Sequence, residues 1–297
     1  MKGKVFMNVK IVTDSNSGIL QAEAKELGIV VIPMPFSINA KEYEEEINIT
    51  RDEFFKYLEE DANVSTSQPS EYYLQELFKE LLKENDEVLY IPMSSGLSRT
   101  CENAILIANK FKGKVEVVDN LRISLSQKAS VLEAIAMAQE GKSAKEIKEY
   151  LEETKDKCSI YICLNVLKYL KKGGRITPVA AAIGDTFHLK PVLTTNGGRF
   201  EKFAICRTLA QAKKAMIEQI KKDLNTVFKK EYQLGIMTVA VAHTQNLEAA
   251  LEFKKEIISE IPNVKFTFVD PLSLSVSCHI GKGALAVCLA QNKYIKG

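Results

Sequence analysis

Alternation of strands and helices is the feature of this sequence that most restricts its fold. Between residues 70 and 140 the pattern predicts five elements in succession: helix 70–84, strand 87–92, helix 98–111, strand 115–118 and helix 124–140. Strands separated by helices of this length require β-α-β crossovers, which make the strands parallel and cover both faces of the sheet. An earlier β-branched run, residues 9–15, predicts a further strand. The first half of the chain is therefore predicted to be α/β.

The pattern changes near residue 158. Residues 159–164 predict a strand, a helix follows and ends at Gly173, and residues 189–207 predict two strands joined by an Asn-Gly-Gly turn, which is a hairpin signal. Further elements are helix 208–230, strand 234–242, helix 246–260, strand 264–269, and a last strand and helix from Ser275. We predict an N-terminal α/β domain over residues 1–157, with a small excursion near 37–50, and a C-terminal α/β or α+β domain over 158–297.

Composition and charge exclude several classes of protein. Of the 297 residues 46% are hydrophobic and 26% charged, as in globular proteins rather than disordered chains. Lys plus Arg total 40 and Asp plus Glu total 38, so the net charge of +2 provides no global field for a nucleic acid. The first ten residues lack the apolar core of a signal peptide, and no apolar run is long enough to span a bilayer. We expect a cytoplasmic protein.

Cysteine and histidine are scattered. The six cysteines include no C-x-x-C pair, and His188, His243 and His279 are too far apart in sequence for a local metal signature. We expect reduced cysteines that pack as small hydrophobic residues, and no metal site.

Two turns are rich in hydroxyl side chains, and each leads into a predicted helix. Their hydroxyl residues are Ser65, Thr66, Ser67 and Ser70 in the first turn, and Ser94, Ser95 and Ser98 in the second. Helix N-termini present unpaired N–H groups and partial positive charge, and so favour anions. Capping explains any one of these hydroxyls, but seven exceed what two caps require. At least one is expected to contact a ligand.

The motifs that this sequence lacks limit which anion the two turns could bind. The chain lacks the glycines and lysine of a G-x-x-x-x-G-K-[ST] phosphate loop, and it also lacks G-x-G-x-x-G. The second turn does not read G-x-S-x-G, as a serine hydrolase would. Neutral hydroxyl donors suit a carboxylate, or a group whose charge changes while it is bound.

A third turn contains His279, which we predict to lie after a strand and before a helix of small residues. A single histidine is more often structural than functional. Gly281 and Gly283 follow it and indicate a close approach of the backbone, which favours a functional role.

Together these segments resemble the DegV family, whose characterised members are the fatty-acid-binding subunits of bacterial fatty acid kinase. The similarity covers nearly the whole chain. It lies in the order and spacing of seven strings: IVTDSNS, TSQPS, SSGLSRT, LKKGGRI, ICRT, VAHTQN and HIGKGAL.

The resemblance implies a two-domain fold with a lipid tunnel between the domains and a long-chain fatty acid bound inside it. The residues that match the carboxylate-holding positions are Thr66, Ser98 and His279. Further candidates for ligand contact are Ser67, Ser95 and Gly96. Weaker candidates, for contact with a partner protein, are Arg175 and Arg207.

The resemblance also implies a function. The chain would be a binding subunit rather than an enzyme, with no cofactor other than its fatty acid, and it would present the carboxyl group to a separate kinase that forms the acyl phosphate. Two alternatives stay open: an enzyme acting on a sugar phosphate or a dihydroxyacetone-type substrate, and a lipid sensor without a kinase. One departure is Lys282, where family members commonly carry Pro or Gln. Its long stem is predicted to carry the ammonium group outward to water.

Overall fold

The structure, a computed structural model, describes residues 7–183 and 189–294, so His188 lies outside the described residues. The strands of the first half are β1 (Val9–Asp14), β2 (Val30–Ile32), β3 (Phe36–Ile38), β4 (Lys41–Tyr43), β5 (Val64–Thr66), β6 (Glu87–Ile91) and β7 (Val115–Val117). Its helices are α1 (Gln21–Leu27), α2 (Arg51–Glu59), α3 (Glu71–Leu81), α4 (Thr100–Ala108), α5 (Leu125–Gln139) and α6 (Ala144–Glu153).

The first sheet is parallel, as the alternating pattern predicted. Its strand order is β2-β1-β6-β7, and β1 pairs in parallel with both β2 and β6. Val12 and Leu89, from the two central strands, are fully buried in separate hydrophobic clusters. The chain reverses its direction of winding between β1 and β6, and ligands of such sheets bind beside the carboxyl ends of the strands at this point.

The excursion near residues 37–50 belongs to a second, smaller sheet. Strands β4, β3 and β5 pair antiparallel in that order. Strand β5 ends at Thr66, so this sheet positions the first hydroxyl turn. Helix α2 follows the excursion and begins with a capping box between Thr50 and Glu53.

The second half forms its own sheet. Its strands are β8 (Cys158–Cys163), β9 (Lys190–Thr195), β10 (Glu201–Cys206), β11 (Met237–His243), β12 (Lys265–Pro271) and β13 (Leu285–Gln291). Its helices are α7 (Lys168–Gly173), α8 (Pro178–Ala181), α9 (Leu209–Asn225), α10 (Lys229–Gln233), α11 (Leu247–Glu260) and α12 (Leu274–Ile280). The strand order is β10-β9-β8-β13-β11-β12, and among the described strands of this second sheet only β11 and β12 pair in parallel.

The predicted order of the last two elements is wrong. The segment expected to be a strand is helix α12, and the small apolar run expected to be a helix is strand β13. Ser273 caps α12, because its Oγ accepts a hydrogen bond from Val276 N. All residues of β13 are buried between two neighbouring strands. A strand covered on both faces has no polar alternation, so its sequence cannot be distinguished from a buried helix by period.

Most other predictions for the second half are confirmed. Strands β9 and β10 form the predicted antiparallel hairpin. The helix predicted over 208–230 is divided, because the chain leaves helical geometry at Thr226 before α10 begins. The strands of the two halves lie in separate sheets, while the domain boundary at residue 157 stays a prediction. Within residues 7–183 and 189–294, no helix is long and apolar enough to cross a membrane.

Candidate ligand-binding site

A cavity of about 300 Å³ lies between the carboxyl edge of the parallel sheet and one face of the second sheet. The second sheet contributes Ile162, Ala242 and Ala286, which are cross-strand neighbours. Other apolar residues of its wall are Met34, Met93, Leu97, Ile123, Ile160, Leu170, Phe200, Leu272, Val276 and Ile280. A wall of this composition fits the hydrocarbon part of a ligand.

Two predicted site residues meet in the cavity wall. Thr66 Oγ1, at the end of β5, lies 3.0 Å from His279 Nε2, on the last turn of α12. Both residues line the cavity, so the first and third predicted turns come together there.

His279 is held as a neutral imidazole. Burial lowers its pKa from 6.5 to about 4, and the positive charge of Arg175 lowers it in the same direction. His279 Nδ1 is buried and has no hydrogen-bond partner among the described residues. This nitrogen faces Gly173, where an added Cβ would lie 2.1 Å from it. Only a residue without a side chain fits beside the ring.

These contacts assign the imidazole proton. A buried N–H without an acceptor is rarer than an acceptor without a donor, so we place the proton on Nε2 and leave Nδ1 unprotonated. Nε2–H then donates to Thr66 Oγ1, and the hydroxyl hydrogen of Thr66 is available for a ligand. In this arrangement His279 orients the threonine.

Ser98, the third predicted carboxylate contact, also lines the cavity. Its Oγ accepts a hydrogen bond from Thr100 N at 3.2 Å and lies 2.9 Å from Thr100 Oγ1. When Thr100 donates to Ser98, the hydroxyl hydrogen of Ser98 is free to donate into the cavity. The same side chain thus stabilises the start of α4 and offers a donor to a ligand.

The remaining candidates from the two hydroxyl-rich turns differ in whether they line the cavity. Ser67 lines the cavity, whereas Ser95 and Gly96 are not among its lining residues. Ser94 is buried, and its hydroxyl donates to the backbone oxygen of Gly197 from the second half of the chain. Its role is structural. Ser70 caps α3, as the capping interpretation predicted.

The two predicted partner-contact arginines lie in different environments. Arg175 lines the cavity, and it donates to Leu97 O through Nε and to Gly173 O through Nη1. Its Nη2 has no protein partner within the described part of the chain. Arg207 is exposed at the end of β10, away from the cavity lining. A second cavity-lining cation, Arg99, keeps 82% of its side chain exposed.

The H-x-G-x-G turn has the close backbone approach that its glycines indicated. Gly281 and Gly283 have φ values of +76° and +82°, and a Cβ on Gly283 would lie 2.0 Å from the Asn165 side chain. Lys282, between them, pairs with Glu59 at the protein surface. Its ammonium group thus points outward, as predicted, and is not among the groups lining the cavity.

Sequence reasoning missed five polar residues of the wall, which are Asn16, Gln68, Arg99, Ser124 and Ser275. Asn16 lies just after β1, and Ser275 lies one turn before His279 on α12. The position of Asn16, at the carboxyl end of a central parallel strand, was the available signal. No comparable signal pointed to Ser275, because its segment was predicted to be a strand. No group of three metal-ligating side chains occurs within residues 7–183 and 189–294.

Comparison with known proteins identifies the family. The model of the DegV family, described as "Uncharacterised protein, DegV family", matches residues 8–292. The chain belongs to the DegV family. A DegV domain-containing protein of Staphylococcus aureus is 30% identical over 277 residues, which are 93% of this chain and 96% of that protein.

Solved DegV structures share the fold. A fatty-acid-binding DegV family protein from Thermus thermophilus superposes with a TM-score of 0.85 at 28% identity, covering 96% of this chain and 100% of the other. DegV from Bacillus subtilis, described as a fatty acid binding protein, gives a TM-score of 0.81 at 28% identity and the same coverage. Both the predicted fold class and the family resemblance are confirmed.

Proposed function

We propose that this DegV protein binds one long-chain fatty acid and presents its carboxyl group to a separate kinase, which converts it to an acyl phosphate. One observation carries the proposal: apolar side chains, the Thr66–His279 pair and Ser98 all line the same cavity. The fatty-acid binding described for two DegV relatives supports the same ligand class.

The hydrocarbon tail supplies the affinity. Each buried methylene contributes about 0.8 kcal/mol, so a sixteen-carbon tail offers on the order of 11 kcal/mol before the costs of association and ordering. Each neutral hydrogen bond to the carboxylate adds only about 1 kcal/mol. The polar residues therefore determine where the head group lies, and they contribute less to how tightly the ligand is held.

The polar part of the wall fits a carboxylate. Thr66 and Ser98 each have a hydroxyl hydrogen that can be donated into the cavity, and the guanidinium group of Arg175 in the same wall provides a positive charge. An acyl phosphate carries additional negative charge at the same place, and the exposed guanidinium group of Arg99 adjoins the same wall. Substrate and product can therefore share one site.

Phosphorylation is assigned to a partner. The chain contains neither of the glycine-rich nucleotide motifs, and among the described residues its cavity wall has no acidic side chain that could bind magnesium. The carboxylate oxygen would attack the γ-phosphate of a nucleotide bound to the kinase, releasing the nucleoside diphosphate. Arg207 is exposed and remains a candidate for the docking surface. A nucleotide-dependent partner suits a cytoplasmic location.

The alternative of a histidine-linked dihydroxyacetone-type enzyme is disfavoured by the contacts of His279. Its Nε2 bonds to Thr66, and its Nδ1 is buried against Gly173. Neither nitrogen is free to form a bond to substrate carbon. A lipid sensor would use the same cavity but would need no kinase, and the experiment below separates it from a carrier.

The test begins with the purified protein. Solvent extraction followed by mass spectrometry is expected to release a long-chain fatty acid, and delipidated protein is expected to bind added palmitate or oleate. A protein that yields no acyl species and binds neither acid is incompatible with the proposal. Incubating the loaded protein with a fatty acid kinase and ATP is expected to give acyl phosphate. Binding without phosphorylation by any such kinase would favour the sensor.

A further inference from the structure

Three consecutive residues at the carboxyl end of β1 each contact a different element of the site. Asp14, Ser15 and Asn16 lie where β1 gives way to a short 3₁₀ turn. Asp14 and Asn16 are almost completely buried. We call residues 14–16 the switch-point turn, because they lie at the carboxyl end of a central strand of the parallel sheet, where the winding reverses.

Asp14 holds the segment that leads to Ser98. Its Oδ2 accepts a hydrogen bond from Met93 N at 2.8 Å, and Asn16 Nδ2 lies 2.9 Å from Met93 Sδ. Met93 begins the turn that ends at Ser98, so the backbone of that turn is fixed at its first residue by a buried carboxylate. Hydrogen bonds to buried charged groups are stronger than neutral ones.

Ser15 holds the segment that positions Thr66. Its Oγ accepts a hydrogen bond from Met34 N at 3.1 Å. The next residues pair with the Thr66 turn, since Pro35 O accepts from Ser67 N at 3.0 Å and Phe36 pairs with Thr66 in the small sheet.

Asn16 holds the helix that carries His279. Its Oδ1 accepts hydrogen bonds from Ser275 Oγ and, at 3.4 Å, from Ser273 Oγ. Ser275 lies four residues before His279, and residues four apart share one face of a helix. A shift of Ser275 would therefore move His279 with it.

We infer that the switch-point turn is a positioning element for the carboxylate site: through its three separate contacts it sets where Thr66, Ser98 and His279 lie relative to one another. The three site residues come from three distant parts of the chain, and the turn is in contact with the elements that carry all of them. Buried second-layer hydrogen bonds of this kind fix the geometry of a polar site.

The inference rests on the proposed function, and head-group selectivity tests it. The measured quantity is the ratio of the dissociation constants for hexadecanol and palmitate, in which the common tail and any general loss of packing cancel. Asn16→Ala and Ser15→Ala are each expected to lower this ratio about fivefold, the loss of roughly one hydrogen bond. Affinity for hexadecanol should stay within about twofold of wild type, because neither substitution changes the apolar side chains of the wall.

Ser17→Ala is the matched control. Ser17 directly follows the switch-point turn and is fully buried, but within the described part of the chain its hydroxyl donates only to Asp14 O and accepts from Ile19 N. Its removal is expected to leave the ratio unchanged. Asn16→Ala should lower the ratio less in the His279→Ala variant than in the wild-type protein. Asn16 is inferred to act through His279, so its effect is partly lost when that side chain is absent. An equal loss of affinity for both ligands in Asn16→Ala, or an equal fall of the ratio in Ser17→Ala, contradicts the positioning role.

A ligand-free measurement separates this inference from the proposed function. The imidazole resonances of His279, assigned by comparison with His279→Gln, are expected to shift in Asn16→Ala and to stay unchanged in Ser17→Ala. Unshifted resonances in Asn16→Ala refute the positioning role whether or not fatty acids bind. Wild-type protein that binds neither ligand refutes the proposed function alone.

Discussion

Thr66 and His279 are 213 positions apart in the chain, yet Thr66 Oγ1 and His279 Nε2 are 3.0 Å apart. One residue ends a strand of the small sheet and the other lies in the last turn of a helix of the second half. The hydrogen bond therefore connects a strand of the first half to a helix of the second half at the cavity wall. Substitutions near either residue can test whether it forms.

Gly173→Ala is expected to displace the imidazole, because the new Cβ would lie 2.1 Å from His279 Nδ1. Loss of the bond to Thr66 should weaken fatty-acid binding about fivefold, as measured by isothermal calorimetry. The matched control is Gly174→Ala, whose Cβ meets nothing within 4 Å. Gly174 has φ +70°, so alanine there should cost about 1 kcal/mol of stability and leave binding unchanged. Equal binding by both variants would contradict the proposed contact.

His279 should make stability rise with pH. Its folded-state pKa is lowered from 6.5 to about 4, so the unfolded chain binds the proton more readily between these values. Wild type should gain on the order of 3 kcal/mol relative to His279→Gln as pH rises from 4 to 6.5. Urea unfolding of the ligand-free proteins across this range measures the difference. A constant difference would show that the imidazole is not buried in its neutral form.

Asp14 should make the free energy of unfolding fall as pH rises, which is opposite to the effect of His279. Burial raises its pKa from 3.8 to about 6, against the hydrogen bonds from Met93, Gln127 and Asn16. The stabilising contribution of the protonated form is then present below pH 3.8 and lost as pH rises to 6, on the order of 3 kcal/mol. The unfolding free energy of wild type minus that of Asp14→Asn is expected to fall over this interval. A difference that rises with pH would mean that the folded protein favours the ionised carboxylate.

Removing both hydroxyls should affect phosphorylation more than retention. In Thr66→Ala combined with Ser98→Ala, the tail still occupies the cavity, so affinity should fall only about tenfold to thirtyfold. The carboxyl group is no longer fixed, and a misplaced reacting group commonly loses about a hundredfold in rate. Single-turnover phosphorylation by a fatty acid kinase measures this step. Wild-type rates with the double variant would contradict the assignment of the two hydroxyls.

Lys282→Gln should leave fatty-acid affinity unchanged. The lysine pairs with Glu59 at the surface, and both side chains are about half exposed. Such a pair contributes at most about 1 kcal/mol, so the unfolding free energy should change by no more than that. Glu59→Gln, which removes the same pair from the other side, is the matched control. A large loss of binding in Lys282→Gln alone would show that its ammonium group acts on the ligand.

Local signals predicted most of the fold because they depend on neighbouring residues. Thr50 and Ser143 cap α2 and α6, and each is followed three residues later by the Glu that completes a capping box. The hairpin between β9 and β10 follows from its Asn-Gly-Gly turn. Alternation of strands and helices was sufficient to predict a parallel sheet, although its strand order needed the structure.

The rest depends on contacts that no local pattern records. Asn16 and Ser275 are 259 positions apart, and the hydrogen bond between them follows only from the packing of α12 against the switch-point turn. Sequence reasoning identified Thr66, Ser98 and His279 as candidates, and all three line the cavity. It did not reveal that Arg175 adjoins His279, because the basic residues near a helix end are equally explained by the helix dipole.

The place of β13 in its sheet has a consequence for how the protein is made. β13 lies between β8 and β11, and it is the last of the six strands to be synthesised. Until it emerges from the ribosome, β10-β9-β8 and β11-β12 are unconnected fragments with open edges, and the cavity lacks the wall that contains Ala286. Such edges favour association with other chains. Assembly of the ligand site must therefore follow the completion of nearly all of this sequence, and a nascent chain arrested before β13 should need a chaperone to stay unaggregated.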